Sequence, residues 1–110
     1  MSALELIINT TEKNCDNIFI IAEMANAHEG DSTTAQLLVA SAAEAGADAI
    51  KFQIYFADEL FNQSHSEHKK FKEREWAFNV WKKLVALARE SDLHVGADVF
   101  GRNSLNLALS

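Results

Sequence analysis

Phe19-Ile20-Ile21-Ala22-Glu23-Met24-Ala25-Asn26-Ala27-His28-Glu29-Gly30-Asp31 is the stretch on which the fold turns. An apolar run from Phe19 to Ala22 stops abruptly at the carboxylate of Glu23. His28 and Gly30 follow, and from Asp31 the residues suit a helix start. The pattern predicts a strand, a polar turn and a helix N-terminus. A charged side chain at the end of an apolar strand adds nothing to a core, because burying it is costly. It suits a site.

Working outward, Asp31 to Ala45 is predicted to be helical. Asp31, Ser32 or Thr33 can cap it, and Thr33 with Gln36 has capping-box spacing. Leu37, Leu38, Ser41, Ala42 and Ala45 share one predicted face, and Gly46 is placed to end the helix in a left-handed turn. Ala47 to Gln53 is a second strand, with Ile50 and Phe52 on one face and Ala49, Lys51 and Gln53 on the other. Ile54 to His68 reads as a long polar connection. Lys69 to Asp92 reads as one long helix on the spacing of Ala77, Val80, Trp81, Leu84, Leu87 and Ala88. Trp76, Phe78 and Trp81 are expected to pack in the core. His94 to Phe100 is a third strand, and a further helix is expected from Ser104.

Ile18 to Glu23 has the continuous apolar body of a parallel strand buried on both faces. Residues 1–17 are expected to form an N-terminal arm or hairpin, leaving 18–110 as the α/β unit. The order β-α-β-α-β implies a parallel sheet with helices outside. An open doubly wound sheet and part of a (β/α)8 barrel both fit. A complete barrel needs about 250 residues, so the 110 residues are expected to be a piece of something larger.

Composition narrows the function classes. Hydrophobic residues make up 48%, enough for a core, and the net charge is −6. Neither a nucleic-acid nor an anionic-membrane surface is expected. Lys69, Lys70, Lys72 and Arg74 cluster, but Glu67, Glu73 and Glu75 interleave with them as on a solvated helix face. Cys15 is the single cysteine, so no disulfide framework or cysteine metal cluster is expected. No apolar run approaches the ~20 residues that span a bilayer. A cytoplasmic protein is expected.

Functional groups of parallel α/β folds gather at the C-terminal strand ends. The first end supplies Glu23, with Asn26 and His28 in its loop; the second, Lys51 and Gln53; the third, Asp98, with Arg102 and Asn103 after it. Glu23 shares its parity with Phe19 and Ile21, and Lys51 with Gln53. If that side is a barrel interior, Glu23 and Lys51 face one cavity near its mouth. Lys51 then suits a phosphate or carboxylate, and Glu23 a sugar hydroxyl or a proton transfer. A structural salt bridge between the two is the plainer alternative. His65 and His68 have the spacing of two ligands on a helix. No third ligand is in sight, and no metal site is expected within the chain.

Ile20-Ile21-Ala22-Glu23 followed by His28-x-Gly30 resembles the opening block of the N-acetylneuraminate (sialic acid) synthase family. Ala45-Gly46-Ala47-Asp48-Ala49-Ile50-Lys51-Phe52-Gln53 resembles the family's second block. Asp98-Val99-Phe100 is similar, weakly, to its third-strand segment. The resemblance implies a TIM barrel of which residues 18–105 form the N-terminal part. It implies condensation of phosphoenolpyruvate with N-acetylmannosamine or a related N-acyl amino sugar, assisted by divalent Mn or Mg. It implies a catalytic role for Glu23 and substrate binding by Lys51, Gln53, His28 and Asn26. The metal ligands and much of the phosphate cradle are expected outside this chain, which should be inactive alone and part of a homo-oligomer. Ala27, Ala25 and Asp98-Val99 depart from the family pattern, which points to a divergent sugar substrate. A small phospholigand-binding module and another phosphosugar aldolase-type barrel are the competing readings.

Overall fold

A computed structural model describes residues 18–110 of the chain. The arm or hairpin expected over residues 1–17 lies outside them. Three strands, β1 (Ile21–Glu23), β2 (Ala49–Ile54) and β3 (His94–Val99), form one parallel sheet in the order β1-β2-β3. Between and after them run α1 (Ser32–Glu44), α2 (Ala57–Leu60), α3 (His68–Arg74), α4 (Phe78–Glu90) and α5 (Arg102–Leu109).

Local chemistry sets the ends of α1. Asp31 Oδ1 accepts from the backbone N–H of Thr33 at 2.9 Å and of Thr34 at 3.4 Å, satisfying two otherwise unpaired donors. Gly46 ends the turn after the helix at a φ of 90°, where a side chain would be strained. α4 buries Trp81, Leu84 and Ala88 along one stripe. It packs against α1, and both helices lie over the face of β2 that carries Ile50, Phe52 and Ile54. Ala35 and Val39 are wholly buried and let the backbones of α1 and α4 come close. Burying each large aliphatic or aromatic side chain of this core contributes about 1.5–3 kcal/mol.

Five expectations are corrected. The helix predicted over Lys69 to Asp92 is two helices, broken at Glu75–Ala77. The break is held by tertiary contacts: Glu75 Oε2 accepts from the N–H of Ala57 at 2.7 Å, and the Trp76 indole donates to the carbonyl of Gly30 at 3.1 Å. The polar connection before it contains the short helix α2. The first strand is not buried on both faces, since Ile18 is 80% exposed and Ile20 and Ile21 are about half exposed. Among the described residues β1 pairs only with β2, and its other edge is unpaired. Finally, α1 presents Ala35, Leu38, Val39 and Ala42 to the core while Leu37 is exposed. Its apolar residues run nearly all round the helix, so packing against α4 selected the face. Phe78, at the start of α4, is likewise partly exposed while Trp76 and Trp81 are buried.

Candidate active site at the strand C-termini

Strand register builds the centre of the site. Glu23 lies directly opposite Lys51 in the β1–β2 pairing, and Gln53 opposite Asp98 in the β2–β3 pairing. Alternation then puts Glu23, Lys51, Gln53 and Asp98 on the face turned away from α1 and α4. Lys51 Nζ is 2.6 Å from Glu23 Oε1 and 3.3 Å from Asp98 Oδ2. Gly96, which pairs with Lys51 across the sheet, brings no side chain to crowd the lysine stem.

The hydrogen bond to Glu23, and then that to Asp98, hold the Lys51 ammonium above the ordinary lysine range. Lys51 is therefore a permanent cation at neutral pH. It can pair with an anion but does not serve as a free amine nucleophile. With two carboxylates around one ammonium, the cluster carries a net charge of about −1.

The turn after β1 is tightly organised. Ala25 and Glu29 adopt left-handed φ angles of 49° and 52°, and Gly30 one of 85°. Strained backbone of this kind persists where surrounding structure over-determines it. His28 is the pin of this turn. It is 1% exposed, its Nδ1 accepts from the N–H of Gly30 at 2.8 Å, and its ring lies 4.1 Å from that of Trp76. Burial, and then the nearby charge of Arg74, lower its pKa below the ordinary value. With Nδ1 accepting, the neutral ring carries its proton on Nε2, which has no partner among the described residues.

Gln53 and Asn26 line a pocket of about 280 Å³ with Tyr55, Phe61, Phe71 and Phe100. The structure thus sets the Glu23–Lys51 pair together, adds Asp98, puts Gln53 and Asn26 in an adjoining pocket, and sinks His28 beneath the turn. Asp98 was visible in the sequence as a polar strand end, and its register with Gln53 brings it to Lys51. Tyr55, Phe61 and Phe71 carry no sequence signal, because they sit in a connection whose path depends on tertiary contacts.

Two further contacts tie the loops over the sheet. Glu59 of α2 accepts from the N–H groups of Asn103 at 3.1 Å and Ser104 at 3.0 Å, capping α5. His68 Nε2 lies 2.6 Å from Asp58 Oδ1, joining α3 to α2. His65 stacks on Phe61, with its Nδ1 accepting from the N–H of Glu67 at 3.0 Å. These two histidines are thus used in loop packing. Among the described residues no three His, Cys, Asp or Glu side chains gather as a metal site. Nor is any helix among them long and apolar enough to cross a membrane.

The sequence and the fold are similar to those of known proteins. The model of the NeuB family matches residues 38–99. The spore coat polysaccharide biosynthesis protein SpsE of Bacillus subtilis is 39% identical over 69 residues, covering 63% of this chain and 18% of that protein. The N,N'-diacetyllegionaminic acid synthase of Legionella pneumophila is 52% identical over 46 residues, covering 42% of this chain and 13% of that protein. The chain therefore spans less than a fifth of the length of either relative. Among solved structures, the N-acetylneuraminic acid (sialic acid) synthetase of Leptospira borgpetersenii, in complex with citrate, superposes with a TM-score of 0.76 at 31% identity. That match covers 82% of this chain and 32% of the synthetase. The Bacillus subtilis SpsE structure gives a TM-score of 0.65 at 32% identity, over 84% of this chain and 26% of that one. The α/β fold class holds: three parallel strands with outer helices form part of a (β/α)8 TIM barrel.

Proposed function

The chain belongs to the NeuB family, and from that premise we propose that it forms one wall of the active site of a synthase. The reaction condenses phosphoenolpyruvate with N-acetylmannosamine or a related N-acyl amino sugar and releases phosphate. The enzyme is a C–C bond-forming transferase. The observation that carries this reading is the Glu23–Lys51–Asp98 cluster at the C-terminal ends of three adjacent parallel strands.

Each residue has a role that its chemistry permits. Lys51 holds the phosphate or carboxylate of phosphoenolpyruvate as a fixed cation. Held between Glu23 and Asp98, its ammonium is placed as a counter-charge. Glu23 accepts a hydroxyl of the open-chain sugar, or a proton, beside the reacting carbon. Gln53 and Asn26 orient the sugar, and His28 fixes the turn that carries Asn26. Orientation of this kind converts a two-body encounter into a unimolecular one. The divalent Mn or Mg expected for the reaction finds no donor set here, since Lys51 already occupies the space between Glu23 and Asp98. Its ligands would be supplied by the rest of the protein that carries this chain.

The cluster is net anionic, so a phosphate needs further cations that it does not contain. Residues 1–110 alone are therefore expected to be inactive. The test is a phosphate-release assay, with Mn, phosphoenolpyruvate and a panel of N-acyl amino sugars, on the protein that carries this chain. Glu23→Gln and Lys51→Met should each lower turnover by ~100-fold or more. Full turnover by Lys51→Met, or any turnover by the 110 residues alone, would count against the reading. Expressed alone, the chain should also self-associate through the edges of β1 and β3 that are unpaired among the described residues. A concentration-independent monomer in sedimentation would oppose that.

A further inference from the structure

Gly30 is gripped from three directions. Its N–H donates to His28 Nδ1 at 2.8 Å, and its carbonyl accepts from the Trp76 indole at 3.1 Å. A Cβ there would come within 3.3 Å of the Arg74 Cα and the Glu73 carbonyl oxygen, so the C-terminal turn of α3 packs directly on it. The other hydrogen bonds of the turn are local: the N–H of Ala27 donates to the Met24 carbonyl, that of Glu29 to Asn26 and that of Asp31 to His28. Among the described residues, the Trp76 indole makes the one hydrogen bond that reaches residues 25–30 from elsewhere in the chain.

Trp76 is 8% exposed and sits in the break between α3 and α4. Its ring lies 4.1 Å from that of His28 and 4.9 Å from that of Trp81, which in turn lies 5.7 Å from Phe52. This stack runs from the turn to the core face of β2. Any large apolar side chain could fill the space. The bond to Gly30 needs an N–H as well, and tryptophan brings both.

The grip depends on a neutral His28. With Nδ1 accepting, a second proton has to enter at Nδ1 and face the Gly30 N–H as donor against donor. Among the described residues, the charge that bears on this ring is that of Arg74, which opposes a second positive charge. The ring's other partners, Trp76 and Gly30, are uncharged.

We propose that Trp76 is a positioning residue for the site and acts through His28 and Gly30. The inference rests on the synthase reading above. The turn begins directly after Glu23 and contains Asn26, whereas Lys51 is carried by β2. Loosening the grip therefore displaces the groups assigned to the sugar and leaves the cation for phosphoenolpyruvate in place. A misplacement of about 1 Å costs on the order of 100-fold in rate.

The test uses the protein that carries this chain. Trp76→Phe keeps a ring in the stack and removes the donor. Replacing Trp76 with benzothienylalanine removes the donor at nearly constant volume. Each change should lower kcat by about 10-fold or more while phosphoenolpyruvate affinity, read by calorimetry, stays within about twofold of the wild type. The acid limb of the kcat profile should move to higher pH in both, because a loosened turn admits water to His28. In the wild type, the Trp76 indole N–H should resist hydrogen exchange at about pH 8 and lose that protection as His28 takes up its proton. An unchanged kcat and acid limb in the benzothienylalanine protein, or a freely exchanging Trp76 indole in the wild type, would overturn the positioning role. A loss of phosphoenolpyruvate affinity as large as the loss of kcat would also overturn it. No turnover of phosphoenolpyruvate by the wild type would instead overturn the synthase reading, and the exchange measurement would still decide the grip.

Discussion

On β2, neighbouring residues face opposite worlds. Phe52 is 1% exposed among helix side chains, while the side chain of Lys51 is 31% exposed between two carboxylates. Ile50 and Ile54 repeat the first environment and Gln53 the second. The helix face binds the domain together through apolar burial. The other face contributes little to stability, because a partly exposed ion pair gains little over hydrated charges. It is free to be shaped by a ligand instead. One strand therefore separates stability from function by parity alone.

That separation can be broken from either side. Phe52→Ala should have the largest effect, a loss of about 3–5 kcal/mol in chemical denaturation. This is a large part of the ~5–15 kcal/mol that holds a typical domain together. An unchanged midpoint would show that the helix face is not the stabilising one. Lys51→Met, in contrast, should leave the midpoint almost where it was while lowering turnover by ~100-fold or more.

His28 sharpens the comparison, because it is a titratable group on the stabilising side of the turn. Its folded pKa lies below its ordinary value of 6.5. The unfolded chain therefore binds a proton more readily than the folded one. Stability should be full above pH 6.5 and fall as pH drops from there toward the lowered folded value. A series of denaturation midpoints from about pH 8 down to about pH 5 measures the slope, and His28→Gln should flatten it. A wild-type midpoint constant over that range would contradict the burial argument.

The smallest effect belongs to the loop tie. A Cβ at Gly101 would overlap the Glu59 carboxylate that caps α5. Gly101→Ala should displace that cap at a cost of about 1 kcal/mol. Unchanged stability would show that Glu59 is replaceable by water.

Much of this was legible in the chain. Strand positions followed from short apolar runs, and the parity of Lys51, Gln53, Ile50 and Phe52 followed from alternation. A cap among Asp31, Ser32 and Thr33 and the left-handed Gly46 followed from local chemistry, and the structure uses Asp31. The resemblance of the Glu23 and Lys51 blocks pointed to the family that the comparisons then matched. What failed to show was non-local. The helix break at Glu75–Ala77 depends on partners at Ala57 and Gly30, and the core face of α1 on a helix that begins at Phe78.

By itself, the sequence determined which residues alternate, that Gly46 ends its helix in a left-handed turn, and which strands end in charge. These are properties of a residue and its near neighbours. Only the tertiary structure decided that Asp98 joins Glu23 around Lys51, that His28 is buried against Trp76, and that aromatic rings from distant loops enclose one pocket. Those outcomes depend on strand register and on side chains far apart in the chain, where no local spacing carries the information.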